Sequence, residues 1–266
     1  MSEILRALIL GIIQGLTEFL PVSSSGHLEL INHLWGEERA IDSDLMLVLI
    51  VHVGTALSIL YVFRGEILAL IKGGLQFKKN DESRMILELA LSMIPAVFVG
   101  LLFEDEIEQL FEGGILLVGV CLIVTGLVLW LTPNRAHDDE GNIGWKRSLA
   151  IGLAQAIAIL PGISRSGMTI ATALMLGVSK KQAAQFSFLM VLPVIFGKLF
   201  LDILSGDFGN AQLHLPSMLV ALLASFIVGV WACKWMIALV RSFSLKYFSI
   251  YCLSIGLVTV ALGVYG

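Results

Sequence analysis

The stretch GIIQGLTEFLPVSSSG at residues 11–26 has a counterpart, GLAQAIAILPGISRSG, at residues 152–167. Superimposed without a gap at an offset of 141 residues, Gly11 meets Gly152, Gln14 meets Gln155, Ser23 meets Ser164, Ser25 meets Ser166 and Gly26 meets Gly167. Each stretch is an apolar run broken by Pro, Ser and Gly, residues that remove a backbone donor or favour caps and turns. The flanks are too apolar for a helix and loop in water. The pair predicts two broken helices at matching positions of a duplicated membrane protein, and interrupted segments of this kind point to a binding site between repeats.

Composition agrees. The chain of 266 residues is 57% hydrophobic and 14% charged, with a mean hydropathy of +0.90, whereas ordinary soluble domains carry about 25% charge. Runs at 115–131, 218–231 and 248–264 approach the ~20 residues that cross a hydrocarbon core. A net charge of −4 argues against nucleic acid as a partner. Cys121, Cys233 and Cys252 lie in apolar segments without metal-ligand spacing and read as packing residues. The N-terminus has one basic residue before its first apolar run, Arg6, and no small-residue cleavage pattern, so it reads as retained.

Apolar runs and polar interruptions predict an all-α integral membrane protein. Residues 4–34 form the first broken helix, followed by spans near 45–63, 86–103 and 115–131; residues 147–177 form the second, followed by spans near 183–204, 217–240 and 247–265. The domains are a first membrane repeat at 1–131, a solvated cytoplasmic connection at 132–148 and a second repeat at 147–266. Lys and Arg number five in the 64–84 loop, three in 132–148, two in 178–182 and two in 241–246, against none in 104–114 and 205–216. The positive-inside rule makes the first four cytoplasmic and the last two external. Both broken segments must then be re-entrant, entering from opposite sides, so the fold is an inverted-topology repeat with both chain ends external. Backbone at membrane depth is tolerated only where protein buries it or a cavity solvates it, so the two Ser/Gly turns are expected to meet and line one polar pocket.

The first turn holds Gln14, Glu18, Ser23, Ser24, Ser25 and His27. Gln14 and Glu18, four apart, share one helical face. A carboxylate in an apolar run is costly unless paired, coordinated or solvated, so Glu18 is a candidate metal ligand or proton carrier, or else an interfacial helix-end residue. One of the three serines can cap the helix that begins near His27. Ser24 and His27, three apart, could pair a hydroxyl with an imidazole, the minimum for an activated oxygen nucleophile. The second turn holds Arg165, a permanent cation whose natural partner is a bidentate phosphate; the alternative is an Arg165–Glu18 salt bridge, and the two can alternate. The Ser164–Gly167 backbone can present further N–H groups to the same anion, with Ser166, and Ser23 of the first turn, counted in the phosphate-binding set. Lys198 and Lys234 are expected to snorkel to an interface, and His52 to be a core or pocket-wall residue.

The strings QGLTEFLPVSSSGH (14–27) and PGISRSGMT (161–169) resemble the two signature motifs of the bacterial undecaprenyl-diphosphate phosphatase family associated with bacitracin resistance. HVGTALSILYVFR (52–64) and SMIPAVFVGLLF (92–103) are also similar, so the likeness covers nearly the whole chain. It implies an inner-membrane enzyme that removes the terminal phosphate of undecaprenyl diphosphate, recycling the lipid carrier of cell-wall synthesis. It also implies a divalent cation and a site open to the outer face. By position, Glu18 matches an acidic residue of the first motif, Ser24 the nucleophile, His27 the catalytic histidine, and Ser164, Arg165 and Thr169 the phosphate-binding residues. Gln14 stands where many members have Glu; its carbonyl oxygen can still serve a metal, though it brings no charge.

Together these imply a mechanism in which Arg165 and the Ser164–Gly167 backbone hold the terminal phosphate. Glu18 and Gln14 hold Mg2+ or Ca2+, and Ser24 attacks as His27 takes its proton; His27 as the nucleophile is the internal alternative. A transporter or flippase of polyprenyl phosphates is the rival from another class, since inverted repeats are also transporter architecture. The partners are the lipid substrate and the bilayer, and homo-oligomerisation is left open.

Overall fold

In the computed structural model each broken segment is two helices joined by a short turn. The structure describes residues 2–36, 41–76, 78, 80–103, 106, 107, 109, 110, 114–133, 142–205 and 214–265. The first segment comprises α1 (Glu3–Thr17) and α2 (Ser24–Leu34), and α3 (Ile41–Val62), α4 (Arg64–Gly74), α5 (Asp81–Leu102) and α6 (Gly114–Leu131) follow. The second comprises α7 (Trp145–Ile157) and α8 (Arg165–Met175), followed by α9 (Lys180–Leu189), α10 (Val191–Ser205), α11 (Leu215–Ser242) and α12 (Lys246–Tyr265). No strand occurs among the described residues. Asp81–Leu102, Gly114–Leu131, Lys180–Leu201, Leu215–Val240 and Lys246–Tyr265 are long and apolar enough to cross a membrane. A sixth span is reached if Met46–Val62 and Arg64–Gly74, bent by 77°, count as one.

That bend corrects one expectation. Residues 64–74, expected to lie in a basic loop, are helical, because Ile67, Leu68, Leu70 and Ile71 recur at helical spacing between the charges. Leu68 and Ile71 remain exposed, as suits an amphipathic helix lying at a membrane interface. The expected external loops 104–114 and 205–216 fall largely outside the described residues, as do residues 134–141 of the connection 132–148 and the side chain of Lys198, while 145–148 of that connection belong to α7. Lys234 is exposed, with its ammonium 5.8 Å from the centre of the Tyr61 ring.

The helices interlock across the halves. α1 packs along α11, α7 along α5, and α6 along α12. Glycines set two of these contacts. A Cβ on Gly11 would stand 2.7 Å from the Ala221 carbonyl oxygen of α11, and one on its counterpart Gly152 would stand 2.3 Å from the Ser92 carbonyl oxygen of α5. The shared glycines are therefore explained by backbone approach. Outward-facing Leu127, Leu131, Ile227 and Leu257 are left for lipid, while Phe19, Phe186, Phe188 and Met190 build the main core beside the first turn, with Phe19 and Phe188 edge to face at 5.4 Å. Cys121, Cys233 and Cys252 are buried and free.

Replacing Gly152 by Ala should force α7 off α5 and cost about 1–3 kcal/mol of overpacking. A lowered unfolding midpoint in detergent is expected, against no loss for Gly100→Ala, where nothing lies within 4 Å of the added atom.

Candidate active site at the join of the broken helices

The two turns are built alike. Ser23 caps α2, its Oγ accepting from the Gly26 N–H at 3.2 Å, and Ser164 caps α8, accepting from the Gly167 N–H at 3.0 Å. Ser23 and Ser25 hydroxyls lie 3.3 Å apart, and Ser164 and Ser166 hydroxyls 3.4 Å apart. The turns then clasp each other. The Gly162 N–H donates to Ser25 Oγ at 3.4 Å, and Ser166 Oγ donates to the Leu20 carbonyl at 3.1 Å. Gly162 takes φ +92°, which a glycine tolerates, and a Cβ there would stand 2.5 Å from the Val118 carbonyl oxygen. Ser23 adopts φ +71°, the one positive value for a non-glycine among the described residues, a strained geometry of the kind that gathers at functional sites.

A polar cluster sits against this clasp. Glu18, 6% exposed, accepts at Oε2 from Ser24 Oγ (2.7 Å) and from Gln14 Nε2 (3.0 Å), and its Oε1 pairs with the Arg165 guanidinium from the other turn. Gln14, Glu18, Ser24 and Arg165 thus share one hydrogen-bonded group. The salt bridge that stood as the alternative to a bound phosphate is formed, and it spans the two halves. The N-termini of α2 and α8, each a helix of 11 residues, flank the cluster; helix N-termini favour anions.

The remaining predicted residues sit elsewhere. His27 is half-buried and not hydrogen-bonded to Ser24: its Nδ1 lies 2.7 Å from the Ser23 carbonyl oxygen and its Nε2 lies 2.8 Å from the Tyr251 hydroxyl of α12. Positions three apart on a helix are neighbours, but both ring nitrogens of His27 are taken up elsewhere, by the Ser23 carbonyl and by α12. Thr169 Oγ1 donates to the Arg165 carbonyl at 2.8 Å and bonds with Ser187, so its hydroxyl is used inside the protein. Ser23, Ser164, Ser166 and Gly167 belong to the clasp. His52 Nδ1 bonds to the Val48 carbonyl at 2.7 Å. Two residues give no sign in the sequence. Tyr251 is one. Thr125 of α6 is the other, its buried Oγ1 accepting from the Ser164 N–H at 3.0 Å and donating to the Gly162 carbonyl at 3.3 Å.

No three His, Cys, Asp or Glu side chains gather into a metal cage among the described residues. The donors present nevertheless suit a cation held mainly by its ligand. Glu18 supplies a carboxylate, and Gln14 Oε1 is buried without a hydrogen-bond partner. Mg2+ is commonly bound by one or two carboxylates together with substrate phosphates.

An ion pair joining two broken helices within a bundle of apolar spans defines the class: a multi-pass helical membrane protein with a buried polar site. A family model described as Bacitracin resistance protein BacA matches residues 7–258, and the chain belongs to that family. Among similar curated proteins, the undecaprenyl-diphosphatase of Christiangramia forsetii is 47% identical over 258 residues, covering 97% of each chain. That of Bacteroides fragilis is 44% identical over 261 residues, again 97% of each, and undecaprenyl-diphosphatase 1 of Bacillus cereus is 38% identical over 265 residues, 96% of each.

Thr125→Val keeps the shape but leaves the Ser164 N–H buried and unpaired, a cost of about 1–3 kcal/mol. The variant should unfold in detergent at a lower temperature, while Thr125→Ser should restore most of the difference.

Proposed function

We propose that this chain is an undecaprenyl-diphosphatase, hydrolysing undecaprenyl diphosphate to undecaprenyl phosphate and inorganic phosphate. Such an enzyme recycles the lipid carrier of cell-wall synthesis, and the bacitracin resistance of its family fits consumption of that diphosphate. The observation that carries the chemistry is the chain of contacts from Ser24 through Glu18 to Arg165.

Without substrate, Arg165 is held by Glu18. A terminal phosphate offers the guanidinium a better-matched, more highly charged bidentate partner. As Arg165 turns to it, Glu18 Oε1 is freed for the cation that Glu18 and Gln14 would hold, while Oε2 keeps the Ser24 hydroxyl it already accepts. Ser24 Oγ then bonds to the terminal phosphorus, its proton passes to Glu18, and the bond to the bridging oxygen breaks with its electron pair leaving on undecaprenyl phosphate. Water attacks the phosphoryl-serine as His27 accepts its proton; inorganic phosphate leaves, Ser24 regains its proton from Glu18, and His27 gives its own to solvent. Glu18 has thus replaced His27 as the base for serine, because that is the contact present. Phosphoryl transfer depends chiefly on positioning and charge, and the Arg165 guanidinium with the two helix N-termini supplies both. Ser23, Ser164, Ser166 and Thr169 serve the phosphate by fixing the turns. Glu18 and Gln14 would hold Mg2+ or Ca2+, which when bound neutralises charge on the diphosphate.

Purified protein in detergent, where no transport is possible, should release phosphate from undecaprenyl diphosphate and lose that activity to a chelator. Arg165→Lys should reduce turnover about a hundredfold or more, and Ser24→Ala should abolish it while still binding substrate. An absence of phosphate release in detergent would favour a transporter instead.

The same reading extends to topology: an inverted repeat of residues 1–131 and 147–266, in the plasma membrane, with re-entrant segments 4–34 and 147–177 and the site facing outward. The reciprocal packing of Gly11 on α11 and Gly152 on α5 supports it. Cysteines placed in 104–114 or 205–216 should react with an impermeant thiol reagent outside intact cells, and one at 78 should not. The opposite pattern would overturn the arrangement.

A further inference from the structure

One of the ring contacts of His27 is 224 residues away in sequence. Its Nδ1 lies 2.7 Å from the Ser23 carbonyl oxygen. A carbonyl can only accept, so in the bonded ring Nδ1 carries the proton. The neutral imidazole then has its lone pair on Nε2, and the Tyr251 hydroxyl, 2.8 Å away, donates to it. The rings of His27 and Tyr251 are nearly parallel, 5° between planes and 5.7 Å between centroids. Tyr251 is itself anchored by neighbours: Cys252 donates through Sγ to the Pro21 carbonyl at 3.5 Å, and Ser249 donates to the Gly126 carbonyl at 2.6 Å. The second of these ties α12 to α6, and the first ties it to the turn that carries Ser23. The hydroxyl of Tyr251 is therefore delivered to His27 by a fixed helix.

The geometry points to Tyr251 as the positioning residue of His27: the Ser23 carbonyl fixes the tautomer with the lone pair on Nε2, and the Tyr251 hydroxyl holds that nitrogen in place from α12. This rests on the proposed hydrolysis for its functional consequence, though not for its structural one. In that reaction His27 accepts a proton from the water that resolves the phosphoryl-serine, and the atom that does so must be Nε2. Tyr251, 42% exposed, would relay that proton through its hydroxyl, taking it from the water as it gives its own to Nε2. Serine attack belongs to Glu18 and does not need Tyr251. Loss of the hydroxyl should therefore slow the second step and spare the first.

Two measurements on Tyr251→Phe, which keeps the stacked ring, test this. In the full protein labelled with 15N-histidine and assigned by His27→Gln, the wild type should show His27 protonated at Nδ1, with Nε2 in a hydrogen-bonded acceptor state. In Tyr251→Phe the Nε2 signal should move toward a free acceptor, with Nδ1 still protonated against the Ser23 carbonyl. An unchanged His27 spectrum would overturn the assignment whether or not the chain is a phosphatase. In turnover, kcat should fall by about tenfold, the scale of one neutral hydrogen bond, with KM within about twofold, and phosphate trapped on serine by acid quench should rise. A fall confined to kcat/KM through KM, with no added phosphoenzyme, would show that Tyr251 serves substrate binding and would also overturn it. If undecaprenyl diphosphate is not hydrolysed at all while the spectrum changes as expected, the failure lies with the proposed reaction and the placement of His27 stands.

Discussion

Burying a guanidinium and a carboxylate among apolar helices costs several kcal/mol per ion unless each finds an opposite charge and further hydrogen bonds. Glu18 and Arg165 meet that demand only together, and they come from different halves of the chain. Everything around them serves the meeting. Ser24 and Gln14 satisfy the remaining carboxylate oxygen, the clasped turns hold the two helix starts in register, and Thr125 braces the second turn from α6. Breaking the pair by removing one partner would strand the other in a low-dielectric site. A competing anion can separate them at far smaller cost, because it replaces one charge by another. The pair is thus both a structural lock and the latch that an anionic ligand opens.

That arrangement also explains why the turns are so heavily bonded. Four serine hydroxyls are committed to capping or cross-turn contacts, which leaves Ser24 as the serine whose hydroxyl faces the carboxylate. Its half-buried position leaves it reachable. The selectivity among neighbouring serines comes from helix geometry: Ser23 and Ser25 point along the clasp, Ser24 across it.

Much of this was legible beforehand, for identifiable reasons. Pro, Ser and Gly interrupt apolar runs so abruptly that both turns could be located, and the repeated glycines and serines put the two in register. The pairing of Arg165 with Glu18 could be named as the alternative to a phosphate and a metal, because a charge in apolar surroundings needs a partner of some kind. Other features were hidden. The direction of the His27 ring depends on Tyr251, and no local pattern links positions 224 apart. Thr125 looks like one more small residue in an apolar span. Residues 64–74 carry enough charge to look like a loop, although their apolar residues fall at helical intervals.

The correspondence of the two turns has a historical consequence. At the 141-residue offset, four of the five positions that agree between halves — Gly11 with Gly152, Ser23 with Ser164, Ser25 with Ser166, Gly26 with Gly167 — are those that pack or clasp, the fifth being Gln14 with Gln155. Those that differ carry the ionic and nucleophilic groups: Glu18 answers to Ile159, Ser24 to Arg165 and His27 to Met168. An assembly of two identical halves would place the same residue at both 24 and 165. It would have two hydroxyls and no cation, or two cations and no hydroxyl. The shape of the join is compatible with perfect symmetry, whereas its chemistry requires that symmetry to be broken, and joining the halves in a single gene lets each turn change without its twin.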